Sequence, residues 1–154
     1  LQITRCLGGC IELGADPRIV SESFSLLELD CKTIECCGVF DAGTYNRIEL
    51  ASCEAWVLLA LFWEDAKTCI HDHDKSECGF RILSGEIVET RFKEIADGKA
   101  REIAQRHLTP GTQVSSHYDA IHCLATLPGE RAISLHAYSP RLDLEDMNVF
   151  EEAD

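Results

Sequence analysis

The sequence predicts a mainly β fold, a small sandwich or barrel, from three observations. From Arg47 onward, apolar or alternating runs of strand length succeed one another. Turn signals separate them at near-regular spacing, among them Asp97-Gly98, Pro110-Gly111 and Pro128-Gly129. The chain has 154 residues, enough for one domain that buries about two-thirds of its unfolded surface without needing a disulfide or metal to fold.

In chain order, a helical N-terminal segment is expected over about 1–42. Val20, Phe24 and Leu27, with Leu26 beside them, have the spacing of one short amphipathic helix over Val20–Leu29 after Pro17. Thr33–Phe40 fits a second helical turn before the Asp41-Ala42-Gly43 break. A β-barrel is then expected over about 45–140. Ala55–Trp63 is wholly apolar apart from small residues and reads as a buried strand, and Gly79–Leu83 as another. Ile87–Ile95 alternates in part, with Ile87, Glu89, Arg91 and Lys93 against Val88, Thr90 and Phe92. Asp97-Gly98 turns it back onto Arg101–Leu108. Val114–Leu127 and Arg131–Tyr138 complete the strands, and 141–154 is expected as an acidic tail, a solvated end with some ordered contacts.

Composition excludes several classes of function. Fourteen basic and 27 acidic residues give a net charge of −13, which repels nucleic acid and anionic membrane surfaces. The longest apolar run, Ala55–Trp63, is too short to span a bilayer. No basic region followed by an apolar one opens the chain, so a cytoplasmic protein is expected. The nine cysteines are odd in number and form no pair of CxxC motifs at zinc-finger spacing. Most read as reduced thiols of a reducing compartment, with Cys53, Cys69 and Cys123 acting as small hydrophobes.

His71-Asp72-His73 carries the chemistry. Two histidines at i and i+2 in a strand share a face, so both imidazoles can reach one metal while Asp72 points away. A third ligand must come from His107, His117, His122 or His136. Spacing narrows this choice because it resembles the cupin superfamily. After His71-x-His73 come four residues and then Cys78, and six residues later Gly85. In the second motif Gly111 leads, through His117-x-Asp119 where cupins usually have Pro and Gly, to His122. His71, His73 and His122 are therefore the expected metal ligands. His107 and His117 are left as loop or rim residues.

Most cupins carry Glu where this chain has Cys78. The run IHDHDKSECGFRILSGEIVETRF, with Tyr45-Asn46-Arg47 ahead of it and Ser134-x-His136-x-Tyr138-Ser139-Pro140 after it, is similar to the type I cysteine dioxygenases. These are Fe(II) thiol dioxygenases with a small cupin barrel, and the likeness covers residues 45 to about 140. It implies that L-cysteine binds iron through thiolate and amine, and that both atoms of O2 end on sulfur as cysteine sulfinate. It implies Arg47 as the holder of the substrate carboxylate, which suits a guanidinium fork, with Tyr45 lining the same pocket. Ser134, His136 and Tyr138 match a relay that ends near substrate and O2. Cys78 and Tyr138 match a pair that can join as a thioether, and Ser139-Pro140 falls where the family has a cis peptide. Cysteine and taurine metabolism and a monomeric state are implied in the same way. A set of imidazoles without a carboxylate leaves the metal its full charge, and a substrate thiolate can then supply the balancing negative charge.

Other readings stand beside these. Glu77 sits at the alternative cupin spacing and is a possible carboxylate ligand, whereas the Gly85 spacing supports Cys78. Arg47 could pair with Glu49 or Glu54, and Tyr138 could be a core tyrosine. A dioxygenase for 3-mercaptopropionate, whose family members often carry Gln at the position of Arg47, is one alternative. A non-catalytic metal-binding cupin is another. The chain departs from the family pattern at Arg141, Glu145 and Thr126, where Pro, Cys and Asn are usual; the first motif lacks its leading Gly, and the Trp63–His71 segment is one residue shorter.

Overall fold

The structure is a computed structural model that describes residues 31–143 and 147–153. The expected Val20–Leu29 helix lies outside the described residues. Among the described residues, one short helix, α1 (Cys31–Glu35), precedes ten strands. These are β1 (Thr44–Cys53), β2 (Trp56–Glu64), β3 (Ile70–His71), β4 (Glu77–Ser84), β5 (Ile87–Ala96), β6 (Lys99–Leu108), β7 (Gln113–Ser116), β8 (His122–Thr126), β9 (Arg131–Ser139) and β10 (Val149–Glu152). They form a five-stranded sheet in the order β1-β2-β9-β4-β7 and a closed barrel in the order β10-β3-β8-β5-β6. This is the mainly β barrel that the sequence predicts, with the cupin arrangement.

The apolar run of β2 is unbroken because the strand is central and covered on both faces. Val57, Leu59, Leu61 and Trp63 enter the core that surrounds the site, together with Phe80, Ile82 and Leu124. The alternate residues Trp56, Leu58, Ala60 and Phe62 enter a second core, which Ile34 of α1 and Phe40 cover from outside. The short helix thus closes the outer face of the sheet. β9 divides in the same way. Ile133, Leu135 and Ala137 face the outer core, leaving the even-numbered residues on the site side.

Gly85 has a positive φ of 70°, and a Cβ there would lie 2.1 Å from the carbonyl oxygen of Arg131. No other residue fits this turn between β4 and β5, which accounts for the glycine at that spacing. The Asp97-Gly98 hairpin forms as expected, joining Ala96 to Lys99 across β5 and β6.

The structure differs from expectation in several places. The helical turn expected over Thr33–Phe40 is instead α1, which ends at Glu35, and β1 forms where no separate strand was expected, by pairing with β2. Val114–Leu127 is two strands, since β7 pairs with β4 in the sheet and β8 crosses to pair with β3 and β5 in the barrel. The acidic C-terminal stretch supplies β10, which pairs antiparallel with β3 and parallel with β6. Five of the seven described cysteines, Cys53 and Cys69 among them, are exposed, whereas Cys78 and Cys123 are buried. All seven are free thiols.

Candidate metal centre

β3 brings His71 to the barrel interior opposite His122 of β8, with which it is paired in register. The segment ahead of β3 is stapled to β8 by side chains as well as backbone. The Thr68 hydroxyl accepts from the Leu124 N–H at 3.0 Å, and the Thr126 hydroxyl accepts from the Ala66 N–H at 2.9 Å. The strand ends at His71, so His73 is placed by a turn rather than by strand alternation. Its N–H donates to the Tyr118 carbonyl at 3.0 Å, and its carbonyl accepts from the Ser76 N–H at 2.9 Å. Asp72 points away, as expected, and accepts from Asn148 Nδ2 at 3.0 Å and from the Asp74 N–H at 2.9 Å.

His71, His73 and His122 each offer a ring nitrogen, and the three lie within 4.8 Å of one another, all buried. His71 Nδ1 donates to the Cys69 carbonyl at 3.0 Å, and His122 Nδ1 to Glu89 at 2.9 Å. Each bond fixes a tautomer whose bare Nε2 turns inward. His73 Nε2 and His122 Nε2 are 3.2 Å apart. Two nitrogens on one metal at bonds of about 2.0–2.1 Å would stand roughly 2.8–3.4 Å apart at right or tetrahedral angles. The donor set therefore fits a metal ion. Burial, reinforced by His122, lowers the pKa of His71 to about 4 and holds that of His73 well below the usual range. Both rings are thus ready to ligate at neutral pH.

Glu89 carries no motif in the sequence that marks it for the site. It lies on β5, buried, one oxygen on His122 and the other accepting from Arg106 Nε across the β5–β6 pair. Burial would raise its pKa, but the His122 and Arg106 bonds more than offset that and hold it below the usual value. The ligand set itself has no carboxylate, yet one stands directly behind His122. The available signal is alternation, since Glu89 shares the strand face of the buried Ile87.

Register separates Cys78 from Glu77. Cys78 lies opposite Tyr138 across β4 and β9 and shares a hydrogen bond with it, whereas Glu77 lies opposite Ser139. Glu77 is outside the histidine cluster and instead faces His117 Nε2 at 3.4 Å. Burial pushes the Cys78 thiol up and the Tyr138 phenol well above its usual value. On β9, Ser134 Oγ lies 2.8 Å from His136 Nε2, and His136 Nδ1 lies 3.3 Å from the Tyr138 hydroxyl. Trp63, likewise unmarked in the sequence, donates its indole N–H to Ser134 Oγ at 2.9 Å. Burial, then the charges of His122 and His71, lowers the pKa of His136 to about 3. The Ser139-Pro140 peptide is cis.

Several of these groups meet at one cavity with about 440 Å³ of empty volume, part of it open to solvent. Arg47 and Tyr45 from β1 line it together with His71, His122, His136 and Tyr138. Tyr45 stacks on Trp63 at 4.7 Å, and the Arg47 guanidinium sits over the Tyr45 ring at 5.4 Å. Arg47 has no ion pair with Glu49, which bonds Arg141 at 3.1 Å instead. His107 and His117 are exposed and lie outside the cluster, each beside an acid, Glu86 and Asp119 respectively.

The barrel and its three-histidine cluster define a cupin with a candidate metal centre. The chain belongs to the cysteine dioxygenase type I family, whose model matches residues 19–153. Solved structures agree on the fold. TT1209 from Thermus thermophilus is 17% identical, with a TM-score of 0.58 over 75% of this chain and 99% of its own. A cupin-2 domain protein from Shewanella frigidimarina is 10% identical, with a TM-score of 0.55 over 73% and 94%. A double-stranded β-helix protein from Klebsiella pneumoniae is 15% identical, with a TM-score of 0.56 over 72% and 88%.

Proposed function

We propose that the protein is a non-haem Fe(II) dioxygenase that converts L-cysteine and O2 to cysteine sulfinate. The observation that carries this reading is a carboxylate-free cluster of His71, His73 and His122, two of which, His71 and His122, line one cavity together with Arg47. His71, His73 and His122 would hold the iron, which when bound supplies the redox chemistry that joins O2 to a thiol sulfur. Three imidazoles suit iron and leave it positively charged, so a substrate thiolate is a favourable partner.

The chain's own residues then orient the substrate. Arg47 takes the carboxylate through two parallel N–H bonds, and its stacking on Tyr45 keeps the fork in place. Leu59, Leu61, Leu124 and Met147 line the remainder of the cavity and limit water beside the sulfur. Tyr138, neutral at physiological pH, serves as a hydrogen-bond donor to substrate or oxygen rather than as a base. Cys78 lies opposite it across β4 and β9, and that register supports a thioether between the two. Forming that link removes the thiol hydrogen and a ring hydrogen, with two electrons passing to O2.

The test is oxygen consumption by Fe(II)-loaded protein with cysteine, 3-mercaptopropionate and cysteamine, with products identified by mass. Turnover of cysteine to sulfinate, with cysteamine poor for want of a carboxylate, is expected. Preference for 3-mercaptopropionate would overturn the cysteine assignment while keeping the chemistry. No turnover of any thiol by iron-containing protein would overturn the reading altogether.

A further inference from the structure

The relay on β9 has a direction, and the residue that sets it is Trp63. An indole nitrogen can only donate a hydrogen bond. Trp63 is fully buried on β2, and its N–H points at Ser134 Oγ from 2.9 Å. That side of the hydroxyl is therefore closed to any acceptor. Ser134 is also fully buried, and the one other partner of its Oγ among the described residues is His136 Nε2 at 2.8 Å. The Ser134 proton consequently points at Nε2, which must be bare to receive it. A neutral imidazole bare at Nε2 carries its proton on Nδ1. His136 thus donates from Nδ1 to the Tyr138 oxygen at 3.3 Å. Because that ring nitrogen is already a donor, the Tyr138 proton turns away from it, toward Cys78 and the cavity.

We propose that Trp63 is the positioning residue that polarises the Trp63–Ser134–His136–Tyr138 chain, so that the phenol presents its proton rather than its lone pairs to whatever occupies the cavity. The reversed chain would have His136 donate to Ser134 and accept from Tyr138. The Ser134 proton would then be buried beside the indole N–H without an acceptor, which disfavours that arrangement by roughly tenfold or more. Pairing along the chain strengthens the preferred direction. The assignment deepens the proposed function, since a fixed donor is what an anionic substrate or reduced oxygen requires of Tyr138. It concerns a proton arrangement within the metal-free protein, however, and is tested without turnover.

The experiment is ¹⁵N NMR of the histidine side chains in metal-free protein at neutral pH, on wild type and Trp63→Phe. The wild type should show His136 protonated at Nδ1 and bare at Nε2, with the minor tautomer at about a tenth or less. In Trp63→Phe the fixed tautomer should give way to a mixture, because Ser134 can turn its proton into the space the indole N–H occupied. A wild-type His136 protonated at Nε2 would overturn the direction of the chain. A Trp63→Phe protein that keeps the wild-type tautomer in full would overturn the role of Trp63. The wild-type arm stands even if the variant folds poorly. Because neither arm involves thiol turnover, failure of this inference is distinguishable from failure of the dioxygenase reading.

Discussion

Behind His122 stands Glu89, a buried carboxylate bonded to its Nδ1. A carboxylate on the far ring nitrogen fixes the tautomer and makes the near one a stronger donor. Glu89 is itself held by Arg106, so it cannot swing away. Glu89→Gln keeps the shape and removes the charge, and should weaken metal binding by about 10- to 100-fold in a chelator competition. Undiminished affinity would show that the contact is packing alone. At this scale the sequence was legible wherever motif spacing fixed a position. The histidines, Cys78, Arg47, Tyr138, His136 and Ser134 all line the cavity or stand directly beside those that do. Glu89 and Trp63 were not legible as site residues because their partners are 33 and 71 residues away. An acid in a strand and a tryptophan in an apolar run are both ordinary until register says what they face.

At the scale of elements, the centre depends on a strand that local sequence scarcely announces. β3 is two residues long, and its outer neighbour is β10 from the C-terminal stretch. Val149 pairs with His71 and Phe150 with Ile70, while Asn148 donates to the Asp72 carboxylate through both its side chain and its backbone. The middle residue of the His-Asp-His motif is therefore a clasp that ties the C-terminal strand to the ligand segment. Asp72→Ala should lower stability by about 1–3 kcal/mol and weaken metal binding without removing a ligand. Thermal unfolding and metal titration of the same variant check both effects, and stability at the wild-type level would refute the clasp. The long strands β2, β5, β6 and β9 were legible because their patterns are local. β10 was not, since Val149–Glu152 is a half-exposed acidic segment that becomes a strand only by pairing with β3 and β6. The division of Val114–Leu127 was hidden for a related reason, because the chain changes sheets at a point where composition hardly changes.

For the whole molecule, the buried imidazoles link stability to pH. Burial lowers His71 to about 4 and His136 to about 3, from 6.5 for an unperturbed histidine. Between those values the unfolded chain binds protons that the folded chain refuses. Stability of the metal-free protein is therefore complete above about pH 6.5 and falls as pH drops toward 4. The slope from each such histidine is at most roughly 1.4 kcal/mol per pH unit. Denaturant unfolding from pH 7.5 to 4.5 should show this loss, and a flat profile would mean the rings are not buried neutral. Architecture was the most legible level of all. Strand lengths and turn signals implied a β-sandwich or barrel, because each answers to a local geometric need, and the resemblance of the two histidine motifs to the cupins chose the barrel. The central claim, that a three-histidine centre directs both atoms of O2 to a thiol bound beside Arg47, is tested most directly by isotope. Fe(II)-loaded protein given cysteine under ¹⁸O₂ should yield sulfinate carrying two heavy oxygens, and sulfinate with one or none would contradict it.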